Sequence, residues 1–189
     1  MVLSDKRYEE IKEIVSNLLL KYSISCVPIS GFEIASKMGI EVRPYPQKKN
    51  NLFMKASEDG FTLLSENKPI ICYNPNQIYQ RTNNTIVHEI GHIVLGHKQE
   101  SNLAEAEVNF FAKYLLAPPI LVHKLKIQSA DEIEEFFEIS HQASIYAWNY
   151  YKKWLAKKGD CYKPYEVKLL NLFQTNIGEL LQTNSQYII

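Results

Sequence analysis

The pentapeptide His88-Glu89-Ile90-Gly91-His92 lies inside a stretch of helical apolar spacing, roughly Thr82 to Gly96, and restricts the fold more than any other feature of the chain. Residues four apart on an α-helix share a face, about 40° apart around the axis. Two imidazoles so placed can hold one zinc ion between them. Glu89 stands about 100° round from His88. It therefore flanks such an ion without binding it and can accept a proton from water there. Ile90, Ile93, Val94 and Leu95 supply packing, and Gly91 leaves room for a close neighbour, either a strand or the backbone around the metal site. A purely structural metal site would leave the glutamate unexplained. Chance spacing among five histidines is the remaining alternative.

A catalytic zinc needs a third protein ligand and one open position. His97 follows His88 by nine residues, whereas the spacing HExxHxxGxxH puts its third histidine ten after the first, at Lys98 here. His97 reads instead as a polar residue at a helix end, where the dipole favours a cation. The next helical stretch, Asn102 to Leu116, carries Glu105 and Asn109 on one face. That arrangement suits a glutamate that binds metal and a polar residue one turn on that braces a ligand. Glu107 is the rival, placed about 200° round from Glu105. Asn102-Leu103-Ala104-Glu105 also resembles a capping box, in which the glutamate only satisfies backbone N–H groups.

Composition narrows the class. With 189 residues, the chain can bury a core without disulfide staples. Its 21 Lys+Arg cancel its 21 Asp+Glu, which argues against a broadly basic face for nucleic acid. Cys26, Cys72 and Cys161 are scattered, odd in number and never paired as CxxC, so they read as reduced thiols. The N-terminal residues have no apolar signal core, and no window is apolar over the ~18 residues a membrane span needs. The expected setting is cytoplasmic.

Along the chain, Tyr8, Ile11, Ile14, Val15, Leu18 and Leu19 mark an amphipathic helix over about Ser4 to Lys21, capped by Ser4 or Asp5. A second helix fits Gly31 to Met38, with Ser30 before it and Gly39 after it. Ile40-Glu41-Val42, Phe61-Thr62-Leu63-Leu64 and Ile70-Ile71-Cys72-Tyr73 read as short strands, the last two as a hairpin around Ser65 to Pro69. Gln47 to Gly60 reads as a surface loop. The Thr82 to Gly96 helix is followed by one over Asn102 to Leu116, stopped by Pro118-Pro119. Ser129 opens another helix. A turn at Ile139-Ser140 starts one running from His141 to Lys158, and a weak helix near Glu166 to Phe173 precedes a tail that thins out.

Residues 82–118 resemble the ImmA/IrrE family of metallopeptidases. The residues that carry the likeness are HEIGH at 88–92, Leu95-Gly96-His97, the run Glu105-Ala106-Glu107-Val108-Asn109-Phe110-Phe111-Ala112, and Leu115-Leu116-Ala117-Pro118. The family pattern is HExxH, then a helix reading E-x-x-A-(N/S/D)-x-F-A, then a Leu-Leu-Met-Pro-like stop. Val108 and Ala117 depart mildly from it. A weaker likeness extends over Ile34 to Val42 and over Phe137 to Ser140. The resemblance implies one zinc per chain held by His88, His92 and Glu105, with Glu89 as general base. It implies a cytoplasmic protein, often of bacteria or their mobile elements. It also implies a protein substrate, since members are associated with cleavage of helix-turn-helix repressors. Residues 1–30 offer only one helix, so no DNA-binding helix-turn-helix is expected in this chain.

The expected architecture is α+β and mostly helical, a zincin-like arrangement with a small sheet packed beside the HExxH helix. A metallopeptidase domain is expected over 1–158 and a helical tail over 159–189. The expected activity is zinc-dependent endopeptidase cleavage of a transcriptional repressor or similar regulator, with no membrane and no direct nucleic acid partner. Two other readings are a non-catalytic protein that sequesters a regulator and a toxin- or antitoxin-like component of a mobile element. Tyr73, Tyr114, His97 and Arg81 are available to assist an oxyanion, although each reads first as structural. His123 and His141 read as isolated surface or packing residues. The aromatic run Tyr146, Trp148, Tyr150, Tyr151 and Trp154 reads as helix packing.

Overall fold

The computed structural model describes residues 2–46, 52–66, 68–99 and 101–185. In chain order it forms α1 (Asp5–Lys21), α2 (Gly31–Met38), β1 (Glu41–Pro44), α3 (Leu52–Ala56), β2 (Gly60–Ser65) and β3 (Lys68–Tyr73). Helices follow: α4 (Tyr79–Leu95), α5 (Asn102–Leu116), α6 (Pro119–Lys124), α7 (Ala130–Phe137), α8 (His141–Lys157) and α9 (Pro164–Ser185). The expected α+β class, mostly helical with a small sheet, is the observed one.

Local chemistry explains where the helices begin and end. The hydroxyls of Ser4, Ser30, Ser129 and Ser140 each accept a bond from the backbone N–H three residues on. Each thereby satisfies a donor that the first helical turn leaves unpaired. Gly39 and Gly96 close α2 and α4 in the left-handed conformation, both at φ 71°. A side chain there would cost roughly 1–2 kcal/mol. Three boundaries differ from expectation. The helix bearing HEIGH starts at Tyr79 rather than Thr82, because nothing after Pro75 interrupts it. Pro119 does not merely stop α5 but opens α6, where a residue without an N–H fits the first helical position. The weak helix expected near Glu166 to Phe173 is the core of the 22-residue α9. The expected loop between Gln47 and Gly60 contains the short α3, and residues 47–51 of it lie outside the described residues, as do Asn67 of the hairpin turn and the end of the tail beyond Ser185.

The described chain divides into two compact units. One is built on Ser30–Ala112. Its sheet has the order β1-β3-β2, with β1 parallel and β2 antiparallel to β3. Thr62 pairs with Ile71 and Phe61 with Cys72. Alternation along β2 sorts its side chains. Phe61 packs with Tyr45 and Phe53 over Ile70 and Cys72. Gly60 and Thr62 instead face α4. A Cβ on Gly60 would meet the Thr85 methyl at 2.5 Å, so only glycine lets the strand lie this close to the helix. Ile86, Val87 and Ile90 of α4 are completely buried, each contributing roughly 1.5–3 kcal/mol of apolar burial.

The other unit comprises Ser4–Ile29 and the residues from Lys113 onward, and it is helical throughout. The α1 stripe of Ile11, Val15, Leu18 and Leu19 is buried as its spacing requires. It packs with α9, whose Leu169 and Phe173 are fully buried. Ser16 donates to the Tyr165 carbonyl (3.1 Å) and the Tyr165 hydroxyl donates to Glu9 (2.9 Å). Among the described residues no helix is long and apolar enough to cross a membrane.

Candidate metal centre

Helix α4 presents His88 and His92 on one face, as four-residue spacing requires. The His88 Nε2 and His92 Nε2 atoms are 3.2 Å apart. Glu105, in the first turn of α5, completes a triangle: its two carboxylate oxygens lie 3.5 Å from His88 Nε2 and 3.2 Å from His92 Nε2. Gly91 makes this approach of α5 feasible. A Cβ there would meet the Phe111 ring at 2.9 Å and Val108 at 3.1 Å. The close neighbour at Gly91 is neither the expected strand nor the backbone around the metal site but these two side chains of α5. Ser101, one residue earlier than the capping-box reading places the cap, accepts from the Ala104 N–H. The Glu105 carboxylate is thus turned to the imidazoles, and Asn109 bonds the Glu105 backbone carbonyl at 2.7 Å rather than bracing a ligand.

The donor set can be tested against a metal by its edges. Ligands about 2.0–2.1 Å from a tetrahedral zinc stand roughly 3.3 Å from one another. The His88–His92 separation and that from His92 to one Glu105 oxygen, both 3.2 Å, match that spacing, and the other Glu105 oxygen lies 3.5 Å from His88 Nε2. Two imidazole nitrogens and one carboxylate oxygen also suit a borderline divalent cation. Burial holds the His88 pKa below its ordinary value, helped by His92 and His97 and opposed by Glu89 and Glu105. A neutral ring keeps a lone pair on one of its two nitrogens, and the neutral form is the one that ligates. The ligand side chains are partly exposed, at 21%, 19% and 45%, so a fourth position opens to solvent.

That position faces a cleft of about 400 Å³. Glu89 lines it beside the imidazoles, and so do Phe61 and Thr62 of β2. The Thr62 hydroxyl donates to Glu89 Oε2 at 2.6 Å. Glu89 is one turn beyond Thr85, the residue that touches Gly60, so two alternate residues of β2 meet two successive turns of α4. Sequence reasoning missed Thr62. Its signal was the one hydroxyl within the apolar run Phe61 to Leu64, on the same face as Gly60.

Of the residues considered for an oxyanion, only His97 lines this cleft. Arg81 is paired with Asp59 at 2.6 Å, Tyr73 packs edge-on against Phe32, and Tyr114 is buried at 3% exposure. Lys98 and Gln99 also line the cleft, unforeseen. His97 is not a loose cation at a helix end. Its Nδ1 lies 3.1 Å from His92 Nδ1, and its Nε2 lies 3.0 Å from a carboxylate oxygen of Glu107. Elsewhere, His141 is not isolated: it bonds Glu134 at 2.8 Å and lies near Asp131, on an exposed surface where such pairs are ordinary. His123 bonds the Tyr151 hydroxyl at 3.1 Å and packs against Trp154, in keeping with a packing role. Cys26, Cys72 and Cys161 are free thiols.

Comparison with curated proteins returns no match. The family model described as IrrE N-terminal-like domain, peptidase family M78, matches residues 35–149. The match runs from α2 through the sheet, both helices of the metal centre and most of α8. It covers more than half of the chain. The chain therefore belongs to the ImmA/IrrE family of metallopeptidases.

Proposed function

We propose that the protein is a zinc-dependent endopeptidase whose metal is held by His88, His92 and Glu105 and whose general base is Glu89. The observation that carries this is the convergence of two imidazole nitrogens and the Glu105 carboxylate at 3.2–3.5 Å, beside a second carboxylate that does not join them. A bound zinc would supply Lewis acidity, acidifying water and polarising the scissile carbonyl. Glu89, oriented by the Thr62 hydroxyl, takes the proton of the attacking water as its oxygen bonds to the carbonyl carbon. The carbon–nitrogen bond then breaks, and Glu89 returns the proton to the leaving amine.

The substrate we infer is a protein segment in extended form. Among the described residues no strand pairs with the outer edge of β2, and its Gly60–Thr62 stretch borders the cleft. Such an edge offers main-chain groups to a peptide that adds as a strand. The family's association with helix-turn-helix repressors supports a repressor, or a similar regulator, as that protein. Free thiols at three cysteines support a reducing, cytoplasmic setting. Elemental analysis tests the metal: one zinc per chain in the wild type, lost in His92→Ala and in Glu105→Ala. A folded wild type that takes up no zinc when zinc is offered would remove the enzyme reading.

A further inference from the structure

Two residues rejected as ligands, His97 for its spacing and Glu107 for its helical angle, meet each other behind His92. The backbone makes this possible. Gly96 takes the left-handed conformation, and the His97 N–H returns to the His92 carbonyl at 3.0 Å. The His97 ring is thereby carried back along α4 until its Nδ1 lies 3.1 Å from His92 Nδ1. On its far side, Nε2 lies 3.0 Å from Glu107 Oε2. The chain is well shielded from water, with the His97 side chain 12% exposed and that of Glu107 9%.

We propose that His97 and Glu107 are positioning residues, which hold His92 in the tautomer whose bare Nε2 faces His88 and Glu105. The proton bookkeeping follows from which atoms can donate. An ionised carboxylate only accepts, so the proton between His97 and Glu107 sits on His97 Nε2. With its ring proton on Nε2, His97 presents the lone pair of Nδ1 to His92. That nitrogen can only accept, so the proton between the two rings sits on His92 Nδ1. The remaining nitrogen of His92, Nε2, is left with its lone pair, and it is the atom that lies 3.2 Å from both His88 Nε2 and Glu105. A metal-binding histidine commonly donates its second N–H to an acceptor that fixes the ring. Here the acceptor is another imidazole, backed in turn by a buried carboxylate. The two carboxylates Glu105 and Glu107 also match the charge of a divalent cation, one beside it and one behind two rings. This role rests on the metal reading for its purpose, while the tautomer is a property of the protein with or without metal.

The test combines two readouts on the full chain. Nitrogen-15 spectra of the histidine rings report the tautomers directly. In the metal-free wild type, His92 is expected protonated at Nδ1 and His97 at Nε2. In Glu107→Ala both rings are expected to mix tautomers, while Glu107→Gln, whose amide oxygen can still accept, keeps them largely fixed. Zinc affinity, measured by competition with a chromophoric chelator, is expected to fall about 10- to 100-fold in Glu107→Ala and in His97→Phe, and less in Glu107→Gln. His92 protonated at Nε2 in the wild type would overturn the proposal. So would unaltered ring spectra in a folded Glu107→Ala, or unaltered zinc affinity in a folded Glu107→Ala or His97→Phe. Failure of the metal reading would look different: the wild type would show the stated tautomers and bind no zinc.

Discussion

Both units of the molecule hold a buried glutamate and partly buried histidine, yet only one has the makings of a site. In the helical unit, Glu166 is 3% exposed and finished: Trp154 Nε1 donates to one oxygen at 2.5 Å and the Lys163 backbone N–H to the other at 2.8 Å. His123 likewise has the Tyr151 hydroxyl. In the sheet-bearing unit, the Nε2 atoms of His88 and His92 and the Glu105 carboxylate converge at 3.2–3.5 Å on the edge of an open cleft, with no backbone N–H or aromatic donor among the described residues bonded to them as at Glu166. Completed polar groups stabilise a fold, whereas convergent incomplete ones await a cation. Titratable content alone does not tell the two apart.

The sharpest way to break this contrast is Glu89→Gln. The amide keeps the shape and the Thr62 contact but cannot take a proton, so hydrolysis of a cleaved partner should fall about 100- to 10,000-fold. Zinc content should stay at the wild-type level. Full activity in this variant would remove Glu89 from the chemistry.

Two stability variants should separate the units. Glu166→Ala leaves the Trp154 and Lys163 donors without their carboxylate, and should cost about 1–3 kcal/mol in urea unfolding while zinc content is unchanged. Gly91→Ala adds a methyl against Phe111 and Val108. Overpacking of that kind costs about 1–3 kcal/mol, offset by about 1 kcal/mol of improved helix propensity. Its larger mark should be on zinc, because α5 must move and Glu105 moves with it. Equal zinc binding in Gly91→Ala and wild type would mean that Glu105 is not placed by this contact.

The smallest expected effect concerns alkaline pH. Burial raises the pKa values of the Tyr114, Tyr150 and Tyr165 phenols above the ordinary tyrosine value, and neighbouring Glu9 adds to the rise for Tyr165. Raised values in the fold mean that the unfolded chain loses these protons first. Their contribution is complete below about pH 10 and is lost as pH climbs from there toward the folded values. The urea midpoint of the metal-free protein should therefore drop between pH 9 and pH 11. Tyr165→Phe should flatten the decline. A flat wild-type profile would contradict it.

Much of this was legible in order along the chain. Serine caps, the glycines after α2 and α4, and the three short strands are local signals, set by a hydroxyl or a missing Cβ within a few residues. Helical spacing put His88 and His92 on one face. It also placed Glu105 and Glu107 on different faces of their helix, and the structure turns those two carboxylates in different directions. The reading of Pro119 as a stop failed because proline is a poor interior residue but a good first one. The weak α9 pattern extended to 22 residues because packing with α1 stabilises turns that propensity alone leaves marginal.

What the amino-acid sequence determined by itself is the short-range part: which stretches are helix or strand, where they are capped, and which side chains share a face. Helix geometry and backbone sterics act over one or two turns, so a reader needs no partner to apply them. Tertiary structure alone decided that Thr62 would orient Glu89, that Gly91 was kept for Phe111 and Val108, and that Glu107 would reach His97. Each of these joins separate elements, and the pairing depends on how the elements pack. A hydrogen bond needs two groups placed to within a fraction of an ångström, and no periodicity along one element carries that information about another.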